Sequence, residues 1–353
     1  MRALWTSMHP LAVGGRLLLA PVASAYHGAM RLRARGYATG RWVQRPLPLP
    51  SIGVGNLQVG GAGKTPLASW VATWLADRGS RPGILLRGYG GDEAPLHRAA
   101  VPTAVVVEDP DRQRGARAAQ AAGAAVLVLD DNAQHLAVIP DRQLLLLGVE
   151  VLQGPRALLP AGPWRQPWDT GTADVVVLTR RMASDEAVAD ARTLVARAYP
   201  GTGIAVARLQ IVGWRHLRDG SSVSATALAD AALFVLCGVA DPRPFAAHAR
   251  RLGTVRAFRY FRDHAPYPTT RIRSIARAAE STGVDYVVTT AKDAVKLRAA
   301  WPADAPPVLV GDLGVRWDGG EEVVTRELEA CLAMSRAHTR FTHAAAGTAA
   351  GTA

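Results

Sequence analysis

The chain has 353 residues, 49% hydrophobic and 20% charged, with a net charge of +12 and a pI near 10.5. That length and apolar content suit two domains with proper cores and argue against a disordered chain. Its two cysteines, Cys237 and Cys331, lack metal-site spacing, which argues against a disulfide framework or a zinc site and suits a reducing compartment. The positive charge admits nucleic acid as a partner, but its distribution is uneven. Residues 1–76 carry seven Arg and Lys64 and no Asp or Glu, and basic charge beside an apolar segment suits an anionic membrane surface at least as well.

Residues 1–45 join an apolar stretch, Leu11 to Met30, to Arg2, Arg16, Arg31, Arg33, Arg35, Arg41 and Arg45. Arg16 and the Gly14-Gly15 pair interrupt the run, which speaks against a spanning helix. Three readings stay open. The segment is an interfacial anchor, a signal cleaved after Ala23-Ser24-Ala25, or an ordinary packed helix. The glycine-rich loop at residues 60–65 favours the anchor over the signal.

Pro46 to Pro50 marks a boundary. Beyond it, buried strands are expected at Ile52–Val54, Gly83–Leu86, Thr103–Val107, Ala125–Leu129, Leu144–Val149 and Val175–Leu178. Helices are expected at Pro66–Arg78 and Asp111–Ala122. That alternation predicts a parallel α/β sheet domain over residues 46–204. A two-stranded linker is expected over 205–226, from Ala205–Val212 and Ser221–Thr226. A smaller α/β domain follows over 227–337, with strands at Ala232–Cys237, Val255–Phe258 and Tyr286–Thr289. From His343 onward Ala, Gly and Thr dominate, and residues 338–353 read as a disordered tail.

The segment most informative for chemistry is the glycine-rich loop between the first strand and its helix. It reads Gly60, Gly61, Ala62, Gly63, Lys64, Thr65, Pro66 and closes like a nucleotide-binding P-loop. Backbone N–H groups there can cradle phosphates, with Lys64 on the β/γ-phosphates and the Thr65 hydroxyl on Mg²⁺. Only three of the 41 basic residues are lysines, Lys64, Lys292 and Lys296, so a lysine kept in a tight loop suggests a chemical demand. The strict pattern fails at its first glycine position, which holds Gln58.

Several motifs then follow in one order. They are Val54-Gly-Asn-Leu57 leading into the P-loop, Arg87-Gly-Tyr-Gly-Gly91, Gly91-Asp-Glu93 and Leu129-Asp-Asp-Asn-Ala-Gln-His135. Leu159-Pro-Ala-Gly-Pro-Trp-Arg165, Cys237-Gly238, Phe261-Arg-Asp-His264 and Thr290-Ala-Lys-Asp-Ala-Val-Lys296 complete the series. From about residue 10 to about 335, this series resembles the tetraacyldisaccharide 4′-kinase family. The resemblance implies a P-loop NTPase-like α/β domain joined by a two-stranded linker to a smaller α/β domain. It also implies a membrane-peripheral kinase on the cytoplasmic face of the bacterial inner membrane. The acid-free N-terminus fits lipid better than nucleic acid, so no nucleic acid partner is expected, and the protein is expected to be a monomer. Such a kinase moves the γ-phosphate of MgATP to the 4′-hydroxyl of tetraacyldisaccharide 1-phosphate, giving lipid IVA.

The resemblance further implies residue roles. Asp130 and Asp131, with Thr65, take Mg²⁺; a strand's C-terminal end is where a carboxylate reaches a metal. Asp92 orients or deprotonates the acceptor hydroxyl with His264 as its partner, a chemically sensible pair near neutral pH. Arg165, Gln134, His135 and Asn56 are candidates for phosphate or substrate contact. Lys292 and Asp293 match a motif of the second domain, where a structural and a functional role stay equally open.

The chain departs from the family pattern at four places. Ala94 precedes Pro95, Gly91 serves two motifs at once, Asn132-Ala133 stands where Gly-Leu is usual, and Thr290-Ala-Lys292 and Ala265 differ from the usual residues. At position 132 a glycine would supply a positive φ that Asn tolerates moderately. These departures keep two alternatives in view: a catalytically weak MgATP- or lipid-binding paralogue, and a kinase for a different glycolipid.

Overall fold

The computed structural model describes residue 5 and residues 9–88, 91, 93–263 and 265–350, with side chains as far as residue 337. The chain divides into two units, one of residues 1–89, 97–208 and 317–353 and one of residues 90–96 and 209–316.

The first unit is built on a parallel sheet. Its strands are β1 (Ser51–Asn56), β2 (Pro82–Leu86), β3 (Val105–Glu108), β4 (Val126–Asp130), β5 (Arg142–Gly148) and β6 (Val175–Arg180), followed by the start of β7 (Gly203–His216). Their spatial order is β7-β6-β5-β1-β4-β2-β3, and every pair is parallel. β1, β2, β4 and β6 are buried along their whole length. This is why they read as unbroken apolar runs instead of alternating ones.

Helices cover the sheet. α1 (Pro10–Ala38) precedes it, and α2 (Lys64–Asp77) packs on β1, β2 and β4. α2 buries Leu67, Ala68, Val71, Ala72 and Leu75, the one-sided spacing of an amphipathic helix. Each of its large apolar side chains contributes roughly 1.5–3 kcal/mol on burial. α3 (Glu93–Ala100) and α4 (Arg112–Ala121) follow; α4 packs on β2 and β3 and begins at Asp111, whose carboxylate accepts from the N–H groups of Gln113 and Arg114. The short α5 (Val149–Leu152) and then α6 (Asp185–Ala198) pack on β6.

In α1, Pro10 stands at the start, where its missing N–H costs nothing. Leu11, Leu17, Leu18, Val22 and Leu32 are exposed, whereas Ala23 and Gly36 are buried. Among the described residues no helix is long and apolar enough to cross a membrane.

The second unit has strands β9 (Ala232–Cys237), β10 (Thr254–Tyr260), β11 (Tyr286–Thr290) and part of β12 (Val308–Gly319) in the order β10-β9-β11-β12. Its paired strands run parallel, and the strands pack with α7 (Arg243–Leu252), α8 (Thr269–Ser281) and α9 (Ala291–Leu297). Leu233, Val235, Phe245 and Leu252 form one buried cluster and Phe234, Leu236, Ile272 and Ile275 another. Cys237 and Cys331 are both free and buried, and burial pushes each thiol up to about 12, so neither is a reactive thiolate.

Three boundaries differ from the sequence reading. The expected linker of residues 205–226 is not the pair of connecting strands. β7 carries the chain into the second unit and β12 carries it back, while β8 (Ser222–Val223) is a two-residue strand antiparallel to β7, with Trp214 opposite Val223. The expected C-terminal domain of 227–337 ends at residue 316. The last helix, α10 (Glu321–Ala350), belongs to the first unit because Val324, Leu328, Cys331 and Leu332 make a buried stripe. Ser335 Oγ donates to Ala125 O at 2.7 Å, and Arg142 pairs with Glu327 at 2.7 Å. Finally, α10 runs through Ala350, where a disordered tail over 338–353 is expected from composition. Alanine has the highest helix propensity of any residue, so an Ala-rich end can extend a helix already anchored.

Candidate active site

The site grows from the C-terminal ends of β1 and β4, neighbours in the sheet with Val54 opposite Asp130. β1 ends in the buried Asn56, and the chain then turns through a loop with Gly60 (φ 95°) and Gly63 (φ 88°). Gly63 is the left-handed N-cap of α2, and Lys64 opens the helix. The first-turn N–H groups of a 14-residue helix thus face the loop, an arrangement suited to phosphate. Pro66 lies in that first turn, where a proline is tolerated. Ala62 is buried, and the Arg181 guanidinium lies 3.1 Å from where a Cβ on Gly61 would be. Gln58, the departure from the strict loop pattern, is turned inward. Its Oε1 accepts from the Gly148 N–H at 3.2 Å, so the residue ties the loop to the end of β5.

Lys64 Nζ donates to Asn56 Oδ1 at 3.2 Å and stands 3.5 Å from Asp131 Oδ1. Asp131 has φ 59°, the one positive φ among described residues other than glycine. A strained backbone of this kind is a mark of functional positions. The left-handed residue of this turn is therefore Asp131 and not Asn132, whose N–H donates to Val54 O at 3.1 Å. Gly55 explains how close the turn comes to β1, because a Cβ there would lie 2.3 Å from Ala133 N.

The Leu159–Arg165 segment is stitched to the start of the P-loop. Val59 N–H donates to Pro163 O at 2.7 Å and Arg165 N–H to Leu57 O at 2.8 Å, around the fully buried Trp164. This stitching delivers the Arg165 guanidinium 2.6 Å from Gln134 Oε1 and 3.7 Å from Asp131 Oδ2. Gln134 Nε2 in turn donates to Asn56 O at 2.6 Å. Lys64, Asn56, Asp131, Gln134 and Arg165 therefore form one connected polar group. His135 is set apart from it. Burial, and then the charges of Arg112, Arg87 and Arg33, lower its pKa to about 4, so it is a neutral imidazole at neutral pH.

Asp130 is buried at the end of β4. Burial works against its charge, but the hydrogen bond and charge of His97, followed by the charges of Lys64 and Arg112, outweigh it and hold the carboxyl below its usual range. His97 Nε2 lies 3.1 Å from Asp130 Oδ2, and Arg112 Nη2 donates to Asp130 O at 2.5 Å. Sequence reasoning missed both residues. Arg112 follows the Asp-Pro-Asp turn after β3, a position that could have been flagged. His97 sits in a short helix with nothing in its spacing to mark it.

Asp92 and His264 lie outside the described residues. In the second unit, Lys292 and Asp293 each have defined partners. The Asp293 carboxylate accepts from Gly238 N–H at 2.9 Å, Thr290 Oγ1 at 2.7 Å and Tyr267 Oη at 3.2 Å, a structural knot at a buried site. Lys292 Nζ donates to Asp263 Oδ1 at 2.7 Å.

The chain matches the tetraacyldisaccharide-1-P 4′-kinase (LpxK) family over residues 15–332. It is 34% identical over 306 residues to the tetraacyldisaccharide 4′-kinase of Geobacter metallireducens, covering 79% of this chain and 88% of that protein. It is 32% identical over 378 residues to that of Anaeromyxobacter sp. (strain K), covering 95% of this chain and 96% of that protein. A solved structure of LpxK from Aquifex aeolicus in complex with ATP superposes with a TM-score of 0.68 at 26% identity, over 88% of this chain and 98% of that one. Matched by the family model over most of its length and by relatives of more than 30% identity, the protein belongs to the tetraacyldisaccharide-1-phosphate 4′-kinase family.

Proposed function

We propose that this protein transfers the γ-phosphate of MgATP to the 4′-hydroxyl of tetraacyldisaccharide 1-phosphate, the lipid IVA-forming step of lipid A biosynthesis. The observation that carries the reading is the convergence of a P-loop lysine on a strand-end aspartate pair. Lys64 stands 3.5 Å from Asp131 Oδ1, and the buried Oδ1 of Asp130 lacks a hydrogen-bond partner.

Those oxygens fit a divalent cation. Among described residues no cluster of three or more His, Cys, Asp or Glu could hold a metal. Two carboxylates and one hydroxyl, with the remaining positions left to phosphate and water, match the habit of Mg²⁺. Asp130, Asp131 and Thr65 would hold it, and when bound it neutralises charge on the β/γ-phosphates. The N–H groups at the start of α2 orient the phosphates, and Lys64 offsets the charge that builds toward the leaving ADP. Arg165, held by Gln134, faces the same carboxylate as Lys64 and supplies a second positive group. Asp92, by its motif, accepts the proton of the 4′-hydroxyl, with His264 as its partner. The 4′-oxygen then bonds to the γ-phosphorus as the bond to the bridging β–γ oxygen breaks.

The lipid side of the reading rests on α1. Its exposed leucines lie among arginines in a segment without acidic residues, as expected of a peripheral protein on the anionic cytoplasmic face of the inner membrane. An open groove of about 370 Å³ between α1 and the loop before Trp164 is lined by Leu17, Ala20, Ala23, Leu158 and Ala161 together with Arg16, Ser24 and His27, and it offers apolar surface to part of an acyl chain beside a positive charge. The test is transfer of labelled γ-phosphate from MgATP to tetraacyldisaccharide 1-phosphate in detergent micelles, with wild type beside Asp92→Ala. Labelled lipid from wild type, lost in the variant, is expected. An ATP-binding wild type that labels no lipid would overturn the proposal.

A further inference from the structure

The Asp130 carboxylate is fixed from two directions. Its backbone carbonyl accepts from the buried Arg112, which sets the main chain at the end of β4. Two side-chain torsions are left, and the second, χ2, rotates the carboxylate itself. His97, fully buried, addresses that torsion, with Nε2 3.1 Å from Asp130 Oδ2. Its other ring nitrogen, Nδ1, lies 2.9 Å from Ser69 Oγ. The Nε2–H donates to Asp130 Oδ2 while Nδ1 shares a hydrogen bond with the Ser69 hydroxyl, so the ring is held at both ends. With Oδ2 occupied by His97, the other oxygen, Oδ1, is buried and without a hydrogen-bond partner. Ser69 is four residues beyond Thr65 on α2, so both lie on one face of that helix. The face that presents Thr65 also anchors His97.

We infer that Ser69 and His97 form a positioning relay that turns Asp130 so that Oδ1, not Oδ2, is presented to the divalent cation. The inference rests on the kinase reading above and adds the device that sets the metal-facing oxygen. Imidazole–carboxylate contacts behind a metal ligand commonly govern affinity by about 10–100-fold. Chemistry at the acceptor is not required for this effect, which makes it separable from turnover.

The experiment is binding of Mn²⁺ to the ADP complex of the full chain, followed by the electron paramagnetic resonance of free Mn²⁺. The comparison is wild type with His97→Leu, His97→Gln and Ser69→Ala, beside ADP affinity measured in EDTA. His97→Leu is expected to weaken Mn²⁺ binding by about tenfold or more, with metal-free ADP affinity unchanged. His97→Gln, whose terminal amide N–H can take the place of Nε2–H, should bind Mn²⁺ within about threefold of wild type. Ser69→Ala, which removes only a hydroxyl, should fall between, and it carries the test if His97→Leu does not fold. Wild-type Mn²⁺ affinity in folded His97→Leu or in Ser69→Ala would overturn the relay. So would a loss in His97→Gln as large as that in His97→Leu, because a merely space-filling role would produce it. A wild-type ADP complex that binds no Mn²⁺ would instead remove the metal site on which the kinase reading depends.

Discussion

Gly55→Ala is the most demanding test of how the aspartate turn is seated. Gly55 lies in β1, paired with Leu145 of β5, and β1 is held on its other side by β4. A Cβ at this position would lie 2.3 Å from Ala133 N, 2.6 Å from Ala133 Cβ and 2.9 Å from its Cα, whereas ordinary contact begins near 3.4 Å. Residue 133 must therefore retreat by about 1 Å, because a central strand bonded on both sides cannot. The displaced turn carries Asp131 and Gln134 directly and Asp130 at its root. A misplacement of about 1 Å at reacting groups costs on the order of 10²-fold in rate, and overpacking costs about 1–3 kcal/mol of stability. Since the nearest atom is a backbone nitrogen, adding Ala133→Gly should not restore activity. The assay is kcat for labelled phosphate transfer beside a urea melt. A folded Gly55→Ala protein with kcat within about threefold of wild type would refute the argument that this contact seats the turn.

Lys64→Ala should lower kcat by about 10²–10³-fold, the usual cost of losing one charge stabiliser of the transition state. Its melt should move little, because the Lys64–Asp131 pair is partly exposed and Arg165 remains beside Asp131; near-normal turnover would sink the P-loop assignment. His135 gives a pH signature. Its folded pKa of about 4 lies below the ordinary 6.5, so protons favour the unfolded chain. Stability should be complete well above pH 6.5 and fall progressively as the pH drops toward 4, by less than the full shift implies because solvent screens this half-buried ring. Urea melts at pH 7.5 and 5 should show that loss shrinking in His135→Gln, and equal losses in both proteins would count against it. Removing residues 1–40 should move the protein from the membrane to the soluble fraction on flotation, and a variant that still floats would place the anchor elsewhere.

The parts of this molecule legible in the sequence are those whose physics is local. Buried parallel strands such as Ile52–Val54 and Val175–Leu178 announce themselves as apolar runs, and the loop from Gly60 to Thr65 announces itself by glycines at the positions of left-handed φ. What was not legible depends on contacts distant in the chain. The apolar stripe of α10 is visible from Val324 to Leu332, but nothing in it says that it covers β1, β4 and β5 instead of the strands just before it. β12 was not among the expected strands, and only its neighbours show that it leaves one unit for the other. The left-handed residue of the aspartate turn was expected at Asn132 by analogy with a glycine; the close approach of Gly55 to Ala133 accompanies a turn that begins one residue earlier. His97 meets Asp130 across 33 residues, and no periodicity encodes that.

The scarcity of lysine acquires a physical sense once its three positions are located. Lys64 ends between Asn56 Oδ1 and Asp131 Oδ1, inside a turn with room for a slim stem. Lys292 ends on Asp263 Oδ1, and Lys296 ends on the carbonyl oxygen of Ala265 at 3.1 Å. The planar fork of an arginine brings five donors in a fixed plane and is best used on two acceptors at once, as Arg215 uses the two oxygens of Asp312. A gap beside a phosphate loop suits a point charge on a flexible stem. Lys292 and Lys296 hold residues 263 and 265, on either side of the histidine that the family motif pairs with Asp92. In a chain that otherwise uses arginine, lysine is kept in the phosphate loop and at the contacts to residues 263 and 265. The composition thus points to the same two places as the motifs, by an argument independent of them.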